Sequence, residues 1–523
     1  GLASATAIYN GGLQGVYSAG SATDTTIHAG GEQNIFSGGS ATNTSILSGG
    51  LQIVQDNYSV ASGTTISSGG IQGVREGGSA TDTQVGSGAF QLVSSGGSAA
   101  STTVSSGGYQ VISAGGSATG MTIHSGGNLQ MDPATSATSA TLQDGYVFRG
   151  STDVTLTANN GTVTILNGEA NNITLNSGGY YGGQEFSGLL IVLSGDSATS
   201  TTVNNRGAQW VYGGGSVIST TVNSGGSEIV YDGGTADRTT VNSGGMQHIN
   251  SGGLVTSATV NTGGQQNVYS GGTVESAMLT GWQHVWGLAS MTTVNSGGTQ
   301  DINSGGQAAS TAVNSGGTQN VNSGGQATST TVSSGGLQIV FDGGETSGTL
   351  VNGGLQYVSG GTAAGTTLNS GGTMLFVAGN AADITANSGS VVQMNPGLTL
   401  AGLTRLNQGT IDLSRSAGSY AISNLTATSG STIYLSNSGT VGNRLVLGQL
   451  SGRIYDDYRH QPRTGGQHSD HRYSQRQPSA NHQQLWRRSA ESAGCQSGRP
   501  AGECARHRSL PGRRRLWRLP VRP

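Results

Sequence analysis

Lysine is absent from the 523-residue chain, and its two cysteines, Cys495 and Cys504, both lie near the C-terminus. Residues 1–452 therefore hold no thiol for a disulfide, a thiolate metal site or a nucleophile, which suits a chain exported through an oxidising compartment. Charged residues make up 9% of the chain and aromatics 5%, against an ordinary charged share of about 25%. Neither a lattice of charges nor a large aromatic core can organise the fold. No apolar run reaches the ~18 residues of a spanning helix, and no basic and apolar leader precedes Gly1. A signal peptide and a membrane span are not expected, and because Gly1 opens part-way through a repeat the chain reads as a fragment.

Glycine fills much of the space left by these absences, with 93 residues where about 7% is ordinary. A compact enzyme of usual composition is excluded. Simple disorder also fits poorly, because Val, Ile and Thr recur throughout between the Gly pairs. Charge divides the chain in two. Residues 1–452 carry seven Arg and twenty acids, a net −13, whereas 453–523 carry fifteen Arg and five acids, a net +10. Six of the eight Pro also fall in that second part.

A fixed period runs through the first part. Ile8, Ile27, Ile46, Ile66, Val85, Val104, Ile123 and Leu142 follow one another at steps of 19 or 20 residues. Val203, Val222, Val241, Val260 and Leu279 continue at 19, and Val294, Val313, Val332 and Val351 resume it after one step of 15. The coil at that step must be shortened or bulged. Each period reads as two halves, a short β-branched strand and a turn with a Gly pair, as in Thr330–Gly336 and Leu337–Gly344. Such strands are too short for helices, and a Gly pair supplies the positive φ of a sharp corner. The expectation is an all-β, right-handed parallel β-helix of about 19 residues per coil, roughly 23 coils in all, each burying its apolar face against its neighbours.

Alternation along the strand assigns the faces. Gln hardly varies, while the residues before and after it do, and it always stands two before an apolar residue. Gln247, Gln266, Gln300, Gln319 and Gln338 are therefore expected inside, each amide bonding to the next. The first Thr of each pair points in with Val. The second, Thr221, Thr240, Thr293 and Thr331, points out in a ladder of hydroxyls, and Ser224, Ser243, Ser296 and Ser315 of the turns are candidates for the same outward role.

The units Val241–Gly253, Val294–Gly306 and Val313–Gly325, of the form Val-Asn-Ser-Gly-Gly-x-Gln-x-Val/Ile-x-Ser-Gly-Gly, resemble the passenger repeats of AIDA-type autotransporter adhesins. The resemblance covers most of residues 1–390. Residues 391–452, with Leu398–Leu403 and Gly409–Leu413, resemble the less regular segment where such passengers approach their capping region. The resemblance implies a β-helix displayed on the surface of a Gram-negative cell, outer-membrane-associated in the intact parent, that mediates adhesion, autoaggregation and biofilm formation. It implies as partners identical passengers and a host cell surface or matrix. It also implies heptose on the repeat Ser and Thr, among them the eight hydroxyl residues named above, added by a cytoplasmic heptosyltransferase.

Residues 453–523 depart from the family, for no alternating barrel strands follow and the Arg-rich tail has no period. Read one base later, allowed codons for Asn481–Ser492 spell Thr-Ile-Ser-Asn-Tyr-Gly-Gly-Glu-Ala-Leu-Asn-Pro, which resembles the segment that follows the β-helix in this family. The tail is thus expected to be a disordered product of a frameshift near Gly452, and a nucleic-acid role for Arg513–Arg515 is not expected.

Enzymes on this scaffold gather carboxylates, calcium ligands or Arg on adjacent coils. Asp153, Asp232, Asp301 and Asp342 instead stand in different repeat contexts, and the seven Arg of residues 1–452 do not stack with them. The Gly pairs lack the Lys-Ser/Thr of a phosphate loop, and His248 and His284 fall at outward positions. No catalytic, cofactor-binding or metal-binding residue is assigned. The alternatives to an adhesin are a glycan-binding or glycan-cleaving β-helix and an inert fragment.

Overall fold

The computed structural model describes residues 1–124, 126–132, 135–142, 146–149, 153–158, 162–166, 169–176, 180–181, 184–185, 188–435, 443–451 and 516–519. Among these there is no α-helix. Most described strands form parallel stacked coils, pairing with their counterparts one coil on, while Tyr180–Tyr181 and Gln184–Glu185 form a separate antiparallel pair. Residues 453–515 and 520–523 of the Arg-rich tail lie outside the described residues. Leu516–Leu519 is a strand, paired antiparallel with Ser431–Tyr434.

A coil has three strands and not the two that the repeat halves suggest. In one representative coil these are Ala312–Val313, Thr318–Val321 and Gln326–Thr328. Each lies in register on the coil before it, with Val294 paired to Val313, Gln300 to Gln319 and Ala308 to Ala327. The first two corners are the Asn-Ser-Gly-Gly turns, closed by Gly317 N donating to Asn314 O at 2.9 Å and Gly325 N to Asn322 O at 2.9 Å. Both glycines of the first turn are needed. Gly316 has φ +74°, and a Cβ on Gly317 would lie 2.5 Å from the Val294 carbonyl oxygen of the coil beneath.

The third corner has no Gly pair, which is why the repeat halves conceal it. A single left-handed residue turns the chain there: Ser329 (φ 54°), Ser310 (φ 56°), Met291 (φ 52°), Arg238 (φ 54°) and Asp24 (φ 55°) occupy equivalent places. L-residues pay about 1–2 kcal/mol for this conformation. The cost is met by the parallel ladders on either side, as where Ser310 N donates to Thr328 O at 2.9 Å.

The chain divides into two compact units. The first is Gly1–Ile339 with Gly343–Thr346 and the second is Val340–Asp342 with Ser347–Pro523. Inside the first run columns of buried Val and Ile, a column of small residues such as Ala289, Ala308 and Ala327, and the Gln column. In the second the Gln position passes to Met374 and Val392. The second and third strands of a coil fuse there into Leu355–Ala364 and Thr373–Ala382, and Phe376, Leu400, Leu406 and Tyr420 make its interior apolar.

The step of 15 is one coil with both Gly-pair turns shortened by two residues, to Thr280-Gly281 and Trp286-Gly287. Its strands keep register all the same, with Gln266 opposite Gln283 and Gln283 opposite Gln300. Shorter corners change the perimeter of a coil without moving the side-chain columns.

Candidate interaction surface

The interior columns fix what the surface presents. Gln247, Gln266, Gln300, Gln319 and Gln338 are fully buried. Gln266 Nε2 donates to Gln247 Oε1 at 2.6 Å, and Gln319 and Gln338 each donate to the preceding amide at 2.8 Å. Gln283 of the short coil joins Gln266 to Gln300, at 2.6 and 2.8 Å. At two of these rungs a first Thr of the pair adds a bond, with Thr311 and Thr330 hydroxyls donating to Gln300 and Gln319 Oε1 at 3.2 and 3.1 Å, whereas Ala258 and Ala277 take that place beside Gln247 and Gln266. A second Gln ladder runs from Gln14 to Gln110 and stops where Leu129 takes the next rung.

One rung is a carboxyl. Glu228 is fully buried between Gln209 and Gln247. Its Oε2 accepts from Gln247 Nε2 at 2.5 Å and Thr239 Oγ1 at 2.9 Å, while Oε1 has no partner. Burial pushes its pKa above the ordinary value, and the hydrogen bonds from Gln247 and Thr239, with the nearby Thr220 hydroxyl whose proton goes to Gln209, only partly oppose this.

Outside, Thr221, Thr240, Thr293 and Thr331 lie on one sheet face and are half-buried. Thr221 and Thr240 pair directly, whereas Thr259 and Met278 stand between Thr240 and Thr293, and Ala312 between Thr293 and Thr331. Ser224, Ser243, Ser296 and Ser315 are exposed at the first corner. Each hydroxyl sits beneath the first Gly of the next coil, where a Cβ would meet it at 2.5 or 2.6 Å.

The corner Asn residues form a polar column that the sequence reading passed over. Asn204, Asn223, Asn242 and Asn261 each donate Nδ2 to the preceding Asn Oδ1 at 2.8 Å, starting from Asn176. The signal was present, because this Asn returns every 19 residues from Asn204 to Asn261. The column breaks at Thr280 of the short coil. Aromatic groups gather there instead: His248, Tyr269 and Trp286 stack at 5.9 and 5.8 Å between centroids, and Trp282 is 54% exposed. His284 Nδ1 lies 3.1 Å from Asp301 Oδ2. Burial raises the Asp301 pKa, but hydrogen bonds from His284 and Asn320 and the His284 charge bring it below the ordinary value. Burial lowers that of His248.

Among the described residues no group of three metal-ligating side chains occurs. Asp301 has a His partner, and the arrangement offers hydrogen bonds and ring surface.

Residues 54–108 and 313–354 match the model of a family described as "Adhesin of bacterial autotransporter system, probable stalk". Each block spans more than two successive coils, so the match is to the repeating unit itself. The chain belongs to this adhesin family. An adhesin passenger of this family is a cell-surface protein. Among solved structures the chain is similar to a TibA fragment hyper-glycosylated by TibC, at 31% identity over 75% of this chain and 99% of that one, with a TM-score of 0.26. That likeness is one of sequence and not of superposition. A search of curated proteins found no match.

Proposed function

We propose that the adhesin acts by self-association, joining cells through their identical passengers in autoaggregation and biofilm formation, and that the same surface adheres to host cells or matrix. The observation that carries this reading is the in-register repetition of neutral hydrogen-bonding groups on the outside, such as the Asn204–Asn261 column and the Thr221–Thr240 pair. Each contact between two such surfaces is worth about 1 kcal/mol net or less, but presentation on coil after coil multiplies it. The low charge of the coils leaves little repulsion to overcome.

The exposed Ser224, Ser243, Ser296 and Ser315 are proposed acceptors for a heptosyltransferase, which would meet one hydroxyl per coil at a constant spacing. Mass spectrometry of the chain co-expressed with such an enzyme would locate the sugars, and bare serines would remove this part. For the main reading, the passenger displayed on non-adherent cells should cause clumping. Joint Thr→Ala substitution at 221, 240, 293 and 331 should weaken it, and unchanged clumping counts against the reading.

A further inference from the structure

Glu228 interrupts a column of amides, and what it does to the column depends on one proton. At each rung from Gln247 to Gln319 the Gln oxygen accepts from the amide of the next coil, as Gln300 Oε1 does from Gln319 at 2.8 Å, and there Thr311 adds a second bond at 3.2 Å. Gln209 Oε1 accepts from Thr220 at 2.8 Å, but the next rung is Glu228, which has no N–H to donate. The same rung holds the buried, unpartnered Oε1 of Glu228. An acceptor without an amide donor from the next coil and an orphan oxygen therefore stand on adjacent, in-register rungs, and a carboxylic O–H between them would satisfy both.

We propose that Glu228 carries its proton in the native protein at neutral pH and donates it to the Gln209 amide oxygen, making this rung a pH-sensitive joint in the stack. Among the described residues no charged group lies against the carboxyl. The groups against the carboxyl are Gln247, Thr239 and Thr220, all neutral. The titratable groups of the adjoining strands and turns, Tyr212, Tyr231, Asp232 and His248, occupy outward positions, and Asp237 and Arg238 pair with each other on the outer surface at 3.2 Å. Ionisation would place a bare charge in a fully buried column and break the rung, a cost paid in the folded state alone. Because burial raises the folded pKa above the unfolded one, the stabilisation is complete below the ordinary glutamate range. It is lost as pH rises through the folded value.

Infrared difference spectroscopy of the full chain tests the proton directly. A protonated-carboxyl stretch at neutral pH, missing in Glu228→Gln, is the expected result, and a carboxylate signal alone overturns the proposal. Thermal unfolding of both proteins between about pH 5 and about pH 9 gives a second measure. The melting temperature of the native chain should fall progressively below that of Glu228→Gln as pH rises, and a gap independent of pH overturns it. Gln already fills the neighbouring rungs, so the variant should fold; should it not, the infrared result on the native chain decides alone.

Discussion

A buried amide is stable in this solenoid only while its neighbours above and below supply partners. Gln319 shows the dependence: its Nε2 donates to Gln300, and its Oε1 accepts from Gln338 and from Thr330. Gln319→Leu has nearly the right volume but orphans the Gln338 amide and the Thr330 hydroxyl, each at about 1–3 kcal/mol. Denaturant unfolding should register a clear loss, whereas Thr331→Ala on the outward side should stay within about 0.5 kcal/mol of the native chain. Opposite pH behaviour is expected at two carboxyls. Asp301 has a lowered pKa, so its contribution is present above the unfolded pKa and lost as pH falls through the folded one, the reverse of Glu228. Removing the titratable carboxyl by Asp301→Asn should therefore flatten the acid limb of the stability curve and leave the alkaline limb unchanged, as followed by thermal unfolding in a pH series.

Corners, at the next scale, are where covalent geometry limits the sequence. Gly317→Ala brings a Cβ to 2.5 Å from a backbone carbonyl that belongs to a ladder and has little room to yield. A cost of about 1–3 kcal/mol, typical of overpacking, should appear as a lower melting temperature without loss of sheet signal. The Gly-pair corners could be read from composition because two separate constraints, positive φ and close approach, each select Gly. The third corner could not, since Ser329, Met291 and Arg238 share only a backbone conformation. The third strand was hidden with it. The Asn column was missed for another reason: Asn is a common turn residue, and only the stacking of one coil on another turns a turn residue into a hydrogen-bonded series.

For the molecule as a whole, contacts run mainly from each coil to the next, so stability is a sum over neighbours. Deleting residues 312–330, one full period, joins Thr311 to Thr331 and restores the same column order with Gln338 over Gln300. The shortened chain should keep its sheet circular dichroism and nearly its melting temperature, while a deletion of about half a period, which throws the columns out of phase, should lose both. Cell clumping by the one-coil deletion should persist at a reduced level if surface contacts add along the repeats, and abrupt loss would point to one localised binding site instead.

The 19-residue period, the Gly pairs and the alternation around Gln determined by themselves that the chain is a parallel solenoid of this adhesin class, because each is a local constraint repeated often enough to exclude helices and ordinary domains. Tertiary structure decided what the repeat leaves open: a three-sided coil, an Asn column at its edge, aromatic stacking beside the shortened coil, and a carboxyl enclosed within an amide ladder. Those features depend on what lies one coil away, a neighbour 19 residues distant in sequence that only the folded stack brings into contact.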